Sequence, residues 1–242
     1  MFKRLGRILA AMAIVAAGLV GVQAALAPAA NADACYTWDR TLQQGDSGSD
    51  VRELQIRVAA YHGYSGLAID GEFGPATDAA VKGFQQEYGL AVDGIAGSQT
   101  YSQIYNLQDA DCTPAHFSYS ELNRCNSTWA GGAVSASTAK YNARKTMWKL
   151  EALRHGLGGH PIQITSGFRS YSCNSAVGGA SNSRHLYGDA ADVGNLSHSF
   201  CTIAREARNY GFYGILGPGY PNHNDHVHVA SKNGSRSAPW CF

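Results

Sequence analysis

The stretch "AIDGEFGPAT", Ala68–Thr77, is answered 23 residues later by "AVDGIAGSQT", Ala91–Thr100. Each copy sets an apolar residue before Asp-Gly, a second glycine after it, and a helix start behind that glycine. Asp-Gly suits a tight reversal, because glycine adopts positive φ without steric cost. Pro75 suits an early helical position, where its missing N–H has no intrahelical partner to lose. Gly89 marks a stop after Tyr88, and Val81, Phe84 and Tyr88 recur at helical spacing, which predicts one buried face. An earlier helix is expected over 51–61, offering Val51, Leu54, Ile56 and Val58 to the same core, with Ser49 or Asp50 as its cap. Residues 42–107 therefore read as a small three-helix bundle with Asp-Gly turns.

Beyond "DADCT", Asp109–Thr113, and Pro114 the character of the chain changes. A short helix is expected over 118–125. A long one follows, capped by Ser135 or Ser137 and running through Met147, Leu150 and Leu153 to about Gly156. "PIQITSGFRS", Pro161–Ser170, alternates apolar Ile162 and Ile164 and predicts a strand. Phe200–Tyr210 predicts a helix ended by Gly211, while "GFYGILG" (211–217) and "DHVHVA" (225–230) predict strands. The fold class is α+β: an N-terminal three-helix bundle followed by an α+β domain with an antiparallel sheet.

The first residues carry Lys3, Arg4 and Arg7, then an apolar run from Ile8 to Val22, then the small-x-small site Ala30-Asn31-Ala32. This pattern predicts a secretory signal over 1–32, and the run is shorter than the roughly 20 residues a spanning helix needs. The remaining organisation is 33–112 for the bundle and 113–242 for the second domain. Removing the signal takes away three basic and no acidic residues, so the net charge of +1 becomes −2. No long basic run remains, which argues against nucleic acid as a partner. The six cysteines, Cys35, Cys112, Cys125, Cys173, Cys201 and Cys241, are even in number and contain no C-x-x-C pair. In an exported chain they predict disulfides. Sequential pairing, Cys35–Cys112, Cys125–Cys173 and Cys201–Cys241, keeps each bridge within one domain.

Two segments carry chemistry-bearing residues that no helix or strand face demands. "SRHLYGDAADV", Ser183–Val193, holds His185, Asp189 and Asp192 around Gly188. Ligands to one zinc ion must converge within a few ångströms. Residues seven apart are about 10 Å distant along a helix and about 23 Å along an extended chain, so the segment must fold back, and Gly188 permits that. The residues alone leave Asp189 and Asp192 both open as the partner of His185. "HNDHVHVA", His223–Ala230, adds His223, Asp225, His226 and His228. His226 and His228 share one side of a strand, a workable ligand pair. Nitrogen and oxygen donors without free thiol favour zinc.

The S-x-H-x-x-G-x-A-x-D pattern in "SRHLYGDAADV" and the acid-x-x-His of "DHVH" together resemble the zinc D-alanyl-D-alanine carboxypeptidases. "GFRS" and "ILGPGYPNHNDHVHVA" extend the likeness through most of 113–242. The segment 40–108, through "LQQGDSGSDVRELQ" and "IDGEFGPATDAAVKGFQ", resembles the repeat-containing peptidoglycan-binding domain. The resemblance implies one zinc ion held by His185, Asp192 and His228, with Asp189 at a variable position. It implies Asp225 as general base toward a zinc-activated water and Arg169 as binder of substrate and developing oxyanion. His223 would assist proton transfer or substrate binding, and His226 would sit close to the ion without ligating it. The implied protein is a secreted, monomeric peptidase acting on the terminal D-Ala-D-Ala bond of peptidoglycan stem peptides, with no membrane attachment after signal cleavage. Two rivals stand beside it: an endopeptidase of the same fold, and a non-catalytic wall-binding protein whose zinc is structural, with His226 as fourth ligand.

Overall fold

The computed structural model describes residues 35–232 and 236–242, without the side chains of 64 and 65. The expected signal over 1–32 and its cleavage site lie outside the described residues. Helices α1 (Ser49–Val58), α2 (Pro75–Glu87) and α3 (Ser98–Asn106) form the bundle, with a 3-10 stretch, Ala59–Ser65, after α1. Pro75 opens α2 and Gly89, at φ 66°, follows its end, as the sequence predicts. The start of α1 differs: its cap is Gly48, at φ 142°, and no side chain caps it. Asp50 is drawn aside because its carboxylate accepts from its own neighbour Val51 N and from Arg40 Nε.

The internal repeat has a physical cause that the sequence did not display. Gln55 and Gln85 are both buried. Gln55 Nε2 donates to Asp70 Oδ1, Glu72 O and Thr77 Oγ1, and its Oε1 accepts from Gly71 N. Gln85 repeats the pattern on Asp93 Oδ1, Ile95 O, Thr100 Oγ1 and Gly94 N. One amide per repeat thus satisfies the buried polar groups of one Asp-Gly turn, which would otherwise be left without partners. Leu54, Phe73, Val81, Phe84, Tyr101 and Ile104 fill the core around these turns.

The second region contains α4 (Tyr119–Leu122), α5 (Ala136–Gly156), β1 (Ile164–Ser166), α6 (Tyr171–Ala176), β2 (Ala190–Val193), α7 (Phe200–Ala207), β3 (Gly214–Leu216), β4 (Val227–Ala230) and β5 (Arg236–Ser237). The described strands form one sheet in the order β1-β2-β4-β3-β5, antiparallel except for the parallel pairing of β3 with β5. The strand expected over 161–170 shrinks to 164–166, where the ladder with β2 shifts register. Ser135 caps α5 by accepting from Thr138 N, and Ser118 closes a capping box with Glu121 on α4. Ala191, Val193, Val227, Val229 and Ile215 turn one sheet face onto Met147 and Leu150 of α5 and Ile203 and Ala204 of α7. The disulfides are Cys35–Cys112, Cys125–Cys173 and Cys201–Cys241, the expected pairing.

α5 serves both regions, since its Trp148 enters the bundle core while its Met147 and Leu150 enter the sheet core. Arg144 of α5 pairs with Glu53 of α1 at 2.8 Å, and Tyr210 donates to Glu87 of α2 at 3.1 Å. Lys149, also on α5, is 6 % exposed and donates to Gly211 O at 2.8 Å. Burial pushes its ammonium down to about 8. No helix among the described residues is long and apolar enough to cross a membrane.

Two expectations follow. Gly188 lies at φ 74°, and a Cβ there would collide with the Ala139 carbonyl oxygen. Gly188→Ala is expected to lower unfolding free energy by about 2–4 kcal/mol, measured in denaturant, from left-handed strain plus the clash. A loss below about 0.5 kcal/mol would show that the turn has room. Lys149 loses its proton more readily folded than unfolded, so its burial penalty is complete below pH 8 and fades as pH rises to the ordinary value of 10.5. The stability of Lys149→Met relative to wild type should therefore fall across that window by roughly 3 kcal/mol. A margin that grows with pH would contradict this.

Candidate metal centre

Alternation along the strands places Asp192 and His228 on the sheet face opposite the core, and the antiparallel register sets them directly across from one another. Asp192 Oδ1 and His228 Nδ1 are 2.9 Å apart. His185 comes from a 3-10 turn, Arg184–Tyr187, which Gly188 reverses into β2. Its Nε2 lies 3.0 Å from both Asp192 Oδ1 and His228 Nδ1. The loop before α6 clamps this histidine from behind. His185 Nδ1 meets Gly167 O at 2.6 Å, and Arg169 N donates to His185 O at 3.1 Å. A carbonyl only accepts, so Nδ1 carries the ring proton and Nε2 turns a lone pair toward the cluster.

Three donor atoms with lone pairs facing one another at such distances, on residues that are all buried, fit a cation. Burial opposes ionisation of Asp192, but the adjacent His185 and His228 hold its carboxyl well below the usual range. Burial, the largest effect, pushes His228 down to about 4, so it is a neutral donor near pH 7. Two nitrogens and one carboxylate oxygen suit zinc and leave a tetrahedral ion one open position.

Arg169 Nη2 binds the other carboxylate oxygen, Asp192 Oδ2, at 2.6 Å, while its Nε donates to Ser166 Oγ at 3.0 Å. This orients Asp192 from behind, as outer hydrogen bonds orient metal ligands in general. The sequence reading gave Arg169 a substrate-facing part and did not anticipate this carboxylate contact. Asp189 is buried but belongs elsewhere: Arg184 binds both of its oxygens. The choice that the residues alone left open is thus made by geometry, with Asp192 in the cluster and Asp189 out of it.

Asp225 is 89 % exposed at its side chain, and its Oδ1 sits 2.8 Å from His226 Nδ1. That bond is the main reason its carboxyl lies below the ordinary range. His226 turns its Nε2 to within 3.7 Å of Asp192 Oδ1, so it stands between Asp225 and the cluster. His223 packs its ring 4.8 Å from His226 and 6.0 Å from His228, with Nδ1 on Pro221 O at 2.7 Å. Burial lowers its pKa. Asn222, at φ 60°, makes the turn that presents this histidine. The structure therefore gathers His185, Asp192, His228 and Arg169 tightly, with His223 and Asp225 on the rim.

Residues 115–230 match the Peptidase M15 family, and residues 47–104 match a putative peptidoglycan binding domain. The zinc D-Ala-D-Ala carboxypeptidase of Streptomyces albus G is 60 % identical over 242 aligned residues, covering 95 % of this chain and 95 % of that protein. The spore cortex-lytic enzyme of Bacillus cereus is 38 % identical over 78 residues, 32 % of this chain and 30 % of that enzyme. The solved SleB N-terminal domain, 39 % identical, covers 29 % of this chain and 96 % of that one, at a TM-score of 0.27. With strands β1 to β4 inside the matched span and one relative aligned almost end to end, the chain belongs to the Peptidase M15 family.

Proposed function

We propose that the chain is an exported zinc peptidase that hydrolyses the terminal D-Ala-D-Ala bond of peptidoglycan stem peptides. The observation that carries this reading is the buried convergence of His185, Asp192 and His228 on one point. His185 Nε2, Asp192 Oδ1 and His228 Nδ1 are the atoms that would hold zinc. When bound, zinc polarises the scissile carbonyl and lowers the pKa of a water molecule toward 7. Asp225 takes up the proton of the attacking water, with His226, which stands between it and the cluster, holding its carboxylate. The carboxylate then returns that proton to the departing amine. Arg169 spends Nε and one Nη2 hydrogen on Ser166 and Asp192, and its remaining guanidinium donors would serve the substrate's carboxylate or oxyanion. His223 lines the rim and assists in placing the substrate.

Residues 1–32 would direct export, residues 33–112 would hold the protein on peptidoglycan, and residues 113–242 would carry out hydrolysis as a monomer. Attachment to the polymer raises the effective concentration of the catalytic region beside its substrate. Disulfides in all cysteine positions suit the oxidising exterior.

Metal analysis after chelation and reloading is expected to give one zinc per chain. His185→Ala, Asp192→Asn and His228→Ala should each lose tightly held zinc, while His226→Ala keeps it. Loss on His226→Ala, with retention in any one of the other three, would favour a different ligand set. Asp225→Asn should retain zinc yet lower kcat for release of D-alanine from an acyl-D-Ala-D-Ala peptide by roughly 10²–10⁴. Unchanged kcat would remove Asp225 from the proton path, and release of internal fragments instead of D-alanine would favour the endopeptidase reading.

A further inference from the structure

The seam between the bundle and α5 encloses a second cavity, of about 630 Å³, away from the zinc cluster. Its floor is the chain over 66–70, leading into the first Asp-Gly turn. Lys145 and Lys149 of α5 line one wall, and Tyr213, Ser231 and Lys232 from the end of the sheet line the other. Along the β2–β4 ladder this end, where Ser231 N donates to Asp189 O, lies three residues or about 10 Å from the Asp192–His228 pair. It also lies toward α5, the side of the sheet away from the cluster.

The charges on this lining do not cancel. Among the described residues Lys145, Lys149 and Lys232 form no ion pair with a carboxylate. Two aspartates share the lining: Asp189 is paired with Arg184, while Asp70 is held by the neutral donors Gln55 Nε2 and Glu72 N and keeps its charge, so three lysines stand against one unpaired carboxylate. The ammonium of Lys149, nine-tenths buried, has one protein acceptor, Gly211 O, for its three donor hydrogens. Lys145 rests over the Tyr141 ring at 4.6 Å. Burial first, then Lys145 and Lys232 push Lys149 toward neutrality, and Asp189 opposes them only in part. Burying an uncompensated lysine is unfavourable for folding, and such groups are ordinarily paired. The volume lies within the range of small-molecule sites and exceeds what a single ion needs.

We infer that this cavity is a second binding site, for a small oxyanion bearing a carboxylate or a phosphate, held by Lys145, Lys149 and Lys232. The ligand supplies negative charge beyond that of Asp70 and Asp189, and it binds against both the bundle and α5.

The test is calorimetric titration of the full-length, zinc-loaded protein with inorganic phosphate and, separately, with D-glutamate. Saturable binding of at least one is expected, weakened about tenfold or more in Lys145→Met/Lys149→Met, the loss of a charge-assisted hydrogen bond. Lys232→Ala, an exposed position whose replacement leaves the core untouched, should also weaken it. Preference for phosphate or for D-glutamate identifies the source of the oxyanion. Hydrolysis of a soluble acyl-D-Ala-D-Ala peptide should stay within about twofold of wild type in both variants, well under 1 kcal/mol of barrier. Equal binding in wild type and variants, binding of neither anion by the folded wild type, or parallel loss of hydrolysis would each overturn the proposal.

Discussion

The structure around the proposed centre depends on a single cross-strand pair, Asp192 of β2 opposite His228 of β4. Side chains alternate along a strand, so a slip of one residue would send both groups into the apolar core and bring Val193 and Val227 out. The register is held by the core itself: Ala191, Val193, Val227 and Val229 are fully buried against α5 and α7. Hydrophobic packing on one face thereby sets the positions of an acid and an imidazole on the other. The third donor needs a different device, a 3-10 turn reversed at Gly188 and clamped through Gly167 O. Three like lone pairs held this close repel one another unless a cation or proton lies between them, so the fold stores a preference for a metal in its geometry.

The bundle follows another rule. Its two Asp-Gly turns are each completed by a buried glutamine, and the helices that follow pack on residues those turns position. α5 then joins the two regions, giving Trp148 to one core and Met147 and Leu150 to the other. The bundle proposed to bind peptidoglycan and the proposed metal centre are in this way tied to one helix. The uncompensated lysines at the seam lie on that same helix.

Much of this was legible from residues alone. Helical spacing exposed the bundle, the Gly188 foldback was required by the seven-residue interval between His185 and Asp192, and an even number of cysteines behind an expected export signal pointed to the disulfides. What was hidden has physical reasons. Gln55 and Gln85 give no signal in the sequence, because burial of an amide shows only once its partners are placed. Asp189 and Asp192 are chemically alike, and only the alternation of β2 and the grip of Arg184 separate them. The strand over 161–170 was drawn too long because apolar alternation does not report where pairing with β2 breaks. Ser49 and Asp50 looked like caps, yet Asp50 is held by Arg40 and Gly48 takes the position. Arg169 stood out only through the family resemblance, and its bond to Asp192 Oδ2 depends on a foldback of 23 residues that no local pattern encodes.

The most direct measurement is an anomalous difference map at the zinc absorption edge from crystals of the metal-loaded protein. The account predicts one peak, about 2.0–2.2 Å from each of His185 Nε2, Asp192 Oδ1 and His228 Nδ1, with His226 outside bonding distance. A peak coordinated by His223 or His226 in place of any of those three atoms would contradict it.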